Sequence, residues 1–144
     1  MEYKNWSSLE YFSRKDFSCN GSECCHNSSP ISLVMVHALN AIQNELGVSM
    51  GISSGYRCKK YNALIKRPKL SLHTYGLAAD VYCIDPSNTA NILELAKKLK
   101  CISPINPNLS VNVFIETCHD KIRNYVHLGL SPYASQILIK FDAF

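Results

Sequence analysis

Apolar residues along this chain follow two periods, and the switches between them lay out its elements. Ile31, Met35, Ala38, Ile42 and Leu46 recur every three or four residues, which predicts a helix from Ile31 to Leu46 with one face in a core. Ser29 is placed to cap it, Pro30 takes the first helical position, where a missing N–H costs nothing, and Gly47 ends it. The same period returns in Ile92, Leu95, Ala96 and Leu99 and predicts a second helix from Thr89 to Lys100, capped by Asn88. Lys97, Lys98 and Lys100 then sit where the helix dipole favours cations, so they read as a solvated helix end.

Strand-like segments are expected at Ser49–Ser53, Leu77–Tyr82, Val111–Ile115, Tyr125–Leu130 and Ile137–Phe141. One helix, several strands, a second helix and more strands predict an α+β fold, its sheet mainly antiparallel and its helices on one face. Residues 1–30 are polar and irregular, with Asn20-Gly21 and Ser28-Ser29-Pro30 as turn signals. No repeat, low-complexity tract or linker divides the chain, so one domain over residues 1–144 is expected.

Composition changes this picture mainly by exclusion. The length of 144 residues suffices for a core without staples, and 47% hydrophobic with 18% charged residues is an ordinary globular balance. A net charge of +4, with no basic face or aromatic platform, argues against a nucleic-acid partner. No apolar run approaches the ~18 residues of a transmembrane segment. Residues 1–6 lack the basic head and apolar stretch of a secretory signal, so synthesis in the cytoplasm is expected. The seven cysteines are an odd number without an export signal, which favours reduced thiols. Cys19, Cys24, Cys25 and His26 leave three readings open: a second zinc site, a local disulfide formed after release, or structural thiols.

Two of the strands carry chemistry. In residues 77–82, alternation sends Leu77, Ala79 and Val81 to one face and Ala78, Asp80 and Tyr82 to the other. In residues 125–130 the apolar set Val126, Leu128 and Leu130 faces the core, leaving His127 on the side of Tyr125 and Gly129. If the strands pair, Asp80 and His127 converge. His73 precedes Asp80 by seven residues, with Gly76 between them to turn the chain. Two imidazoles and a carboxylate leave one tetrahedral position open, the composition of a catalytic zinc site. Zinc in such a site polarises a carbonyl and lowers the pKa of water.

The run Ser53-Ser54-Gly55-Tyr56-Arg57-Cys58, then Ser71-Leu72-His73-Thr74-Tyr75-Gly76-Leu77-Ala78-Ala79-Asp80, then Tyr125-Val126-His127 resembles the M15 family of zinc D-Ala-D-Ala carboxypeptidases and related phage endolysins. Residues 12–19 and the first helix resemble the small phage-type members as well. The resemblance implies a Hedgehog/DD-peptidase-like fold with His73, Asp80 and His127 as metal ligands. It places Arg57 beside the metal, holding a substrate carbonyl or carboxylate through its planar fork. Ser71 orients the substrate or caps the metal loop, and Tyr56 and Asn62 support that loop.

Relatives often carry a carboxylate or histidine three residues before the last ligand as general base, and Asp two residues after it. This chain has Asn124 and Gly129 there, and an amide cannot take a proton in that role. Glu116, His119 and Asp120 are the nearby substitutes, with Glu116 ranked first because it follows the strand expected at Val111–Ile115. The function implied is hydrolysis of an amide bond in peptidoglycan stem peptides or cross-bridges, on the cell wall after release or within a virion. Asn124 motivates an alternative from another class: a non-catalytic, zinc-stabilised structural or binding module, for example one associated with other virion proteins.

Overall fold

The computed structural model describes residues 11–21, 30–103 and 105–134, together with the backbone of the strand Ile139–Phe141. Three helices, α1 (Leu33–Leu46), α2 (Lys59–Leu64) and α3 (Thr89–Lys98), lie among these residues. The strands are β1 (Met50–Ser54), β2 (Ala78–Cys83), β3 (Leu99–Ile102), β4 (Ser110–Asn112), β5 (Phe114–Asp120), β6 (Tyr125–Leu130) and β7 (Ile139–Phe141). They form an antiparallel four-stranded sheet of order β1-β2-β6-β5 and an antiparallel three-stranded sheet of order β4-β3-β7. The fold is α+β, as the periodicities predict.

The large sheet has one apolar and one polar face. Ala79, Val81, Val126, Leu128 and Leu130 point into the core, where they meet Met35, Leu39, Ile42 and Ile92 from the helices. α3 packs on β2, β5 and β6, and α1 packs on α3 and β7. Val81, Val126, Leu128 and Ile92 are fully buried, each worth about 2 kcal/mol relative to exposure. The short α2 departs from the expectation of helices on one face. Its Asn62 and the preceding Arg57, which are hydrogen-bonded to each other, belong to the polar side, where Arg57 lines a cleft.

Several boundaries move for physical reasons. α1 is capped by Ser32, whose hydroxyl accepts from the Val34 N–H at 3.2 Å. The Ser32 N–H is already bonded to the Gly76 carbonyl at 2.8 Å, which keeps the chain extended there and delays the helix. Ser29, the expected cap, lies outside the described residues. Asn88 caps nothing with its side chain. Asp85 instead caps a 3₁₀ turn, Pro86–Asn88, that leads into α3. α3 stops at Lys98 because Leu99 and Lys100 are recruited into β3, where the Lys100 ammonium donates to Asn112.

The strand expected at Val111–Ile115 is two strands in two sheets. Val111 pairs with Cys101 in the small sheet, Phe114 pairs with Leu130 in the large one, and fully buried Val113 makes the crossing. The Val113 N–H reaches the Leu99 carbonyl and its carbonyl accepts from Ser131, so no backbone group is orphaned there. Of the cysteines, Cys24 and Cys25, with His26, lie outside the described residues. Those within them are not joined by disulfides.

Candidate metal centre

His73 is set by a short stretch of backbone. A 3₁₀ turn, Leu72–Tyr75, begins at Ser71, whose hydroxyl accepts from the His73 N–H at 3.3 Å, and ends at Gly76. Gly76 has φ +70°, and a Cβ there would lie 1.8 Å from the Pro30 carbonyl oxygen, so both conformation and contact demand glycine. The imidazole is 1% exposed, and its Nδ1 sits 2.8 Å from the Gly55 carbonyl.

Asp80 and His127 come from paired strands. They are direct partners across β2 and β6, both on the polar face, and His127 Nδ1 lies 2.9 Å from Asp80 Oδ1. His73 Nε2 is 3.2 Å from the same oxygen and 3.3 Å from His127 Nδ1. Among the described residues these three form the cluster able to hold a metal ion.

The hydrogen bonds around the cluster decide what its inner atoms are. A carbonyl oxygen and a carboxylate only accept, so His73 donates from Nδ1 to Gly55 and His127 donates from Nε2 to Glu116, at 2.8 Å. In neutral imidazoles the inner His73 Nε2 and His127 Nδ1 are then lone pairs, facing a carboxylate oxygen. Three acceptors in mutual contact need a cation between them, or protons on the rings. Burial pulls the His127 pKa down, but hydrogen bonds to Asp80 and Glu116 outweigh it and raise the net value. Burial likewise opposes the Asp80 charge, and the two histidines overcome it, holding the carboxyl well below the usual range. Zinc with bonds of ~2.0–2.1 Å to tetrahedral ligands sets ligand atoms about 3.3 Å apart. The observed edges of 2.9, 3.2 and 3.3 Å suit such an ion with little adjustment.

A cleft of about 420 Å³ opens over the cluster. Arg57 is 6% exposed, donates from one terminal nitrogen to Asn62 Oδ1 at 3.3 Å, and leaves its buried Nε without a partner. Burial weighs most against its charge, and Asp80 offsets part of that cost. Asn62 also donates to the Pro68 carbonyl, tying the Arg57 side chain to the loop bordering the cleft. Ser71 lines the cleft too, its hydroxyl engaged with the His73 backbone.

The remaining sequence candidates separate. Glu116 lines the cleft with its carboxylate on His127. Asn124, at φ +55°, is turned elsewhere: His119 Nε2 lies 2.9 Å from its amide oxygen, and its amide nitrogen donates to the Pro86 carbonyl. Asp120 accepts the Ile122 and Arg123 backbone N–H groups and serves the β5–β6 turn. Tyr125, the aromatic residue of the Tyr125-Val126-His127 motif, lines the cleft. So do Arg67 and Cys118, which were not singled out in the sequence, where each looks like an ordinary surface or strand residue. Only the pairing of Cys118 with His127 across β5 and β6 brings that thiol near the centre.

Residues 10–115 match the profile of a family described as Peptidase M15. No curated protein and no solved structure matches the chain. The match covers well over half of the sequence and takes in Arg57, Ser71, His73 and Asp80, the first two of which line the cleft beside the two ligand candidates. The chain belongs to the Peptidase M15 family.

Proposed function

We propose that the chain is a zinc-dependent peptidase that hydrolyses an amide bond in peptidoglycan stem peptides or cross-bridges, with His73, Asp80 and His127 as ligands. The observation that carries this reading is the convergence of His73 Nε2, His127 Nδ1 and Asp80 Oδ1 as three acceptors, with the outer nitrogens of both imidazoles already hydrogen-bonded. When bound there, zinc supplies a Lewis acid that polarises a carbonyl and lowers the pKa of water. The two paired strands and the turn that carry the ligands support a Hedgehog/DD-peptidase-like arrangement.

The chain's own groups divide the remaining work. Arg57, buried beside Asp80 with an unpartnered Nε, holds a substrate carbonyl or carboxylate and stabilises developing negative charge. Arg67 and Arg123 extend that positive wall around a small side cavity of about 150 Å³ that Arg57 and Asp80 also line. Leu70, Leu72 and Pro68 supply an apolar wall for the rest of a peptide. Ser71 keeps the His73 turn closed. The site of action is the cell wall, reached after release or from a virion. No described helix is long and apolar enough to cross a membrane.

The test is metal analysis of the purified chain together with mass spectrometry of muropeptides, with and without a chelator. About one zinc per chain and chelator-sensitive new peptide ends are expected. The orientation of Asn124 away from the cleft favours one second reading, a zinc-stabilised binding module without turnover. Bound zinc with no cleavage of any peptidoglycan selects it.

A further inference from the structure

Glu116 reaches His127 from the neighbouring strand through a gap that the sequence leaves open. β5 and β6 pair with Cys118 opposite His127 and Glu116 opposite Gly129, and the register shifts between Phe114 and Glu116. Such an irregularity re-aims the side chain beside it. The Glu116 side chain leans over Gly129 and places Oε1 2.8 Å from His127 Nε2. A Cβ on residue 129 would lie 2.6 Å from that oxygen, 3.0 Å from the Glu116 Cβ and 2.8 Å from Leu72 Cδ1. Any other side chain at 129 would therefore occupy the path of the carboxylate.

The nitrogen that Glu116 contacts faces away from the ligand cluster, because His127 Nδ1 is the atom beside Asp80 and His73. A carboxylate on the outer nitrogen keeps the proton there, directs the Nδ1 lone pair inward and fixes the plane of the ring. His73 needs no such side chain, because the Gly55 carbonyl does the same for it. We infer that Glu116 is a positioning residue that sets the tautomer and orientation of His127 for metal binding, and that Gly129 is the clearance that admits it. This rests on the zinc-site reading above. It assigns Glu116 a task other than the general base expected from the sequence.

The test uses the full chain loaded with zinc. Affinity is measured by competition with a chelator, and the His127 ring nitrogens are followed by NMR to read the tautomer. Glu116→Ala is expected to weaken zinc binding about 10- to 100-fold, the usual effect of removing a partner of a ligating histidine. Glu116→Gln is expected to stay within a few-fold of wild type and to retain measurable hydrolysis, since its amide oxygen still accepts from Nε2–H. Gly129→Ala is expected to resemble Glu116→Ala, and the double variant to be no worse than either single one, as for residues acting as a unit.

Glu116→Ala with wild-type zinc affinity and an unchanged tautomer overturns the positioning role alone. Glu116→Gln that keeps zinc but loses all hydrolysis overturns it in favour of the general base. A wild-type chain that takes up no zinc overturns both this inference and the reading beneath it. Gly129→Ala need not fold for the outcome to be decisive, because the two Glu116 variants decide it by themselves and add no atom at residue 129.

Discussion

His73 and His127 face the same Asp80 oxygen, yet different kinds of structure hold them. His73 is 1% exposed and fixed by main chain: a capped 3₁₀ turn, a left-handed glycine pressed on Pro30, and the Gly55 carbonyl on its outer nitrogen. The His127 side chain is 26% exposed and stands on a strand, and its outer nitrogen is held by a Glu116 side chain that is half exposed. Backbone acceptors survive almost any substitution, whereas a side-chain acceptor is removed by one. The first half of the centre is thus robust but intolerant of changes to its turn. The second half depends on Glu116 and on the clearance at Gly129, so single substitutions at either position can tune it.

On the proposed zinc reading, losing any one of the three converging side chains breaks both halves together. His73→Ala, Asp80→Ala and His127→Ala are each expected to lower zinc from about one per chain to background and to abolish hydrolysis. Metal analysis checks this, and full occupancy in any variant strikes that residue from the ligand set.

The next largest effect belongs to the backbone-held half. Gly76→Ala puts a Cβ 1.8 Å from a carbonyl oxygen at φ +70°, and left-handed strain plus overpacking is expected to cost about 3 kcal/mol. For a chain of this size that lowers the melting temperature by about 10 °C. Glu116→Ala, in the other half, should leave the melting temperature of the metal-free chain nearly unchanged. Equal losses in the two variants would erase the contrast.

Asn124→Asp sharpens the comparison at the far end of β6. Its carboxylate faces His119 and the Pro86 carbonyl rather than the cleft, so no gain in hydrolysis is expected. Losing the donor to Pro86 should cost about 1 kcal/mol. A clear rise in rate in the muropeptide assay would show that this position reaches the cleft after all.

The smallest effect is one of pH, in the metal-free chain. The folded pKa of His127 is raised, so its contribution to stability is complete below the unfolded value of about 6.5 and fades as pH climbs through the folded one. The depressed Asp80 carboxyl acts in the opposite sense: its contribution is complete above about 3.9 and is lost as pH falls through the folded value. Denaturant midpoints of chelator-treated wild type should therefore drop between pH 5.5 and 8.5 relative to His127→Gln. Parallel curves would mean that the carboxylates do not act on His127.

Much of the centre is legible in residue order because alternation and turn chemistry act locally. Period two puts Asp80 and His127 opposite their apolar neighbours, and burial of Ala79, Val81, Val126 and Leu128 agrees. β6 runs from Tyr125 to Leu130 as periodicity predicts. Less was legible where one pattern serves two elements. Leu99 continues the spacing of α3 and is just as buried in β3. Val111 to Ile115 reads as one strand, although Val113 carries the chain from one sheet to another.

The sequence by itself determined the α+β class and the faces of the two strands that carry Asp80 and His127, because these depend on periods a few residues long. The grouping of His73 with them is what the family resemblance implied. Tertiary structure alone decided the register that sets Asp80 against His127, the shift that brings Glu116 over Gly129, and the rotation of Asn124 toward Pro86. Each of these joins residues from different elements. A slip of one residue between strands would reverse them without changing any local preference.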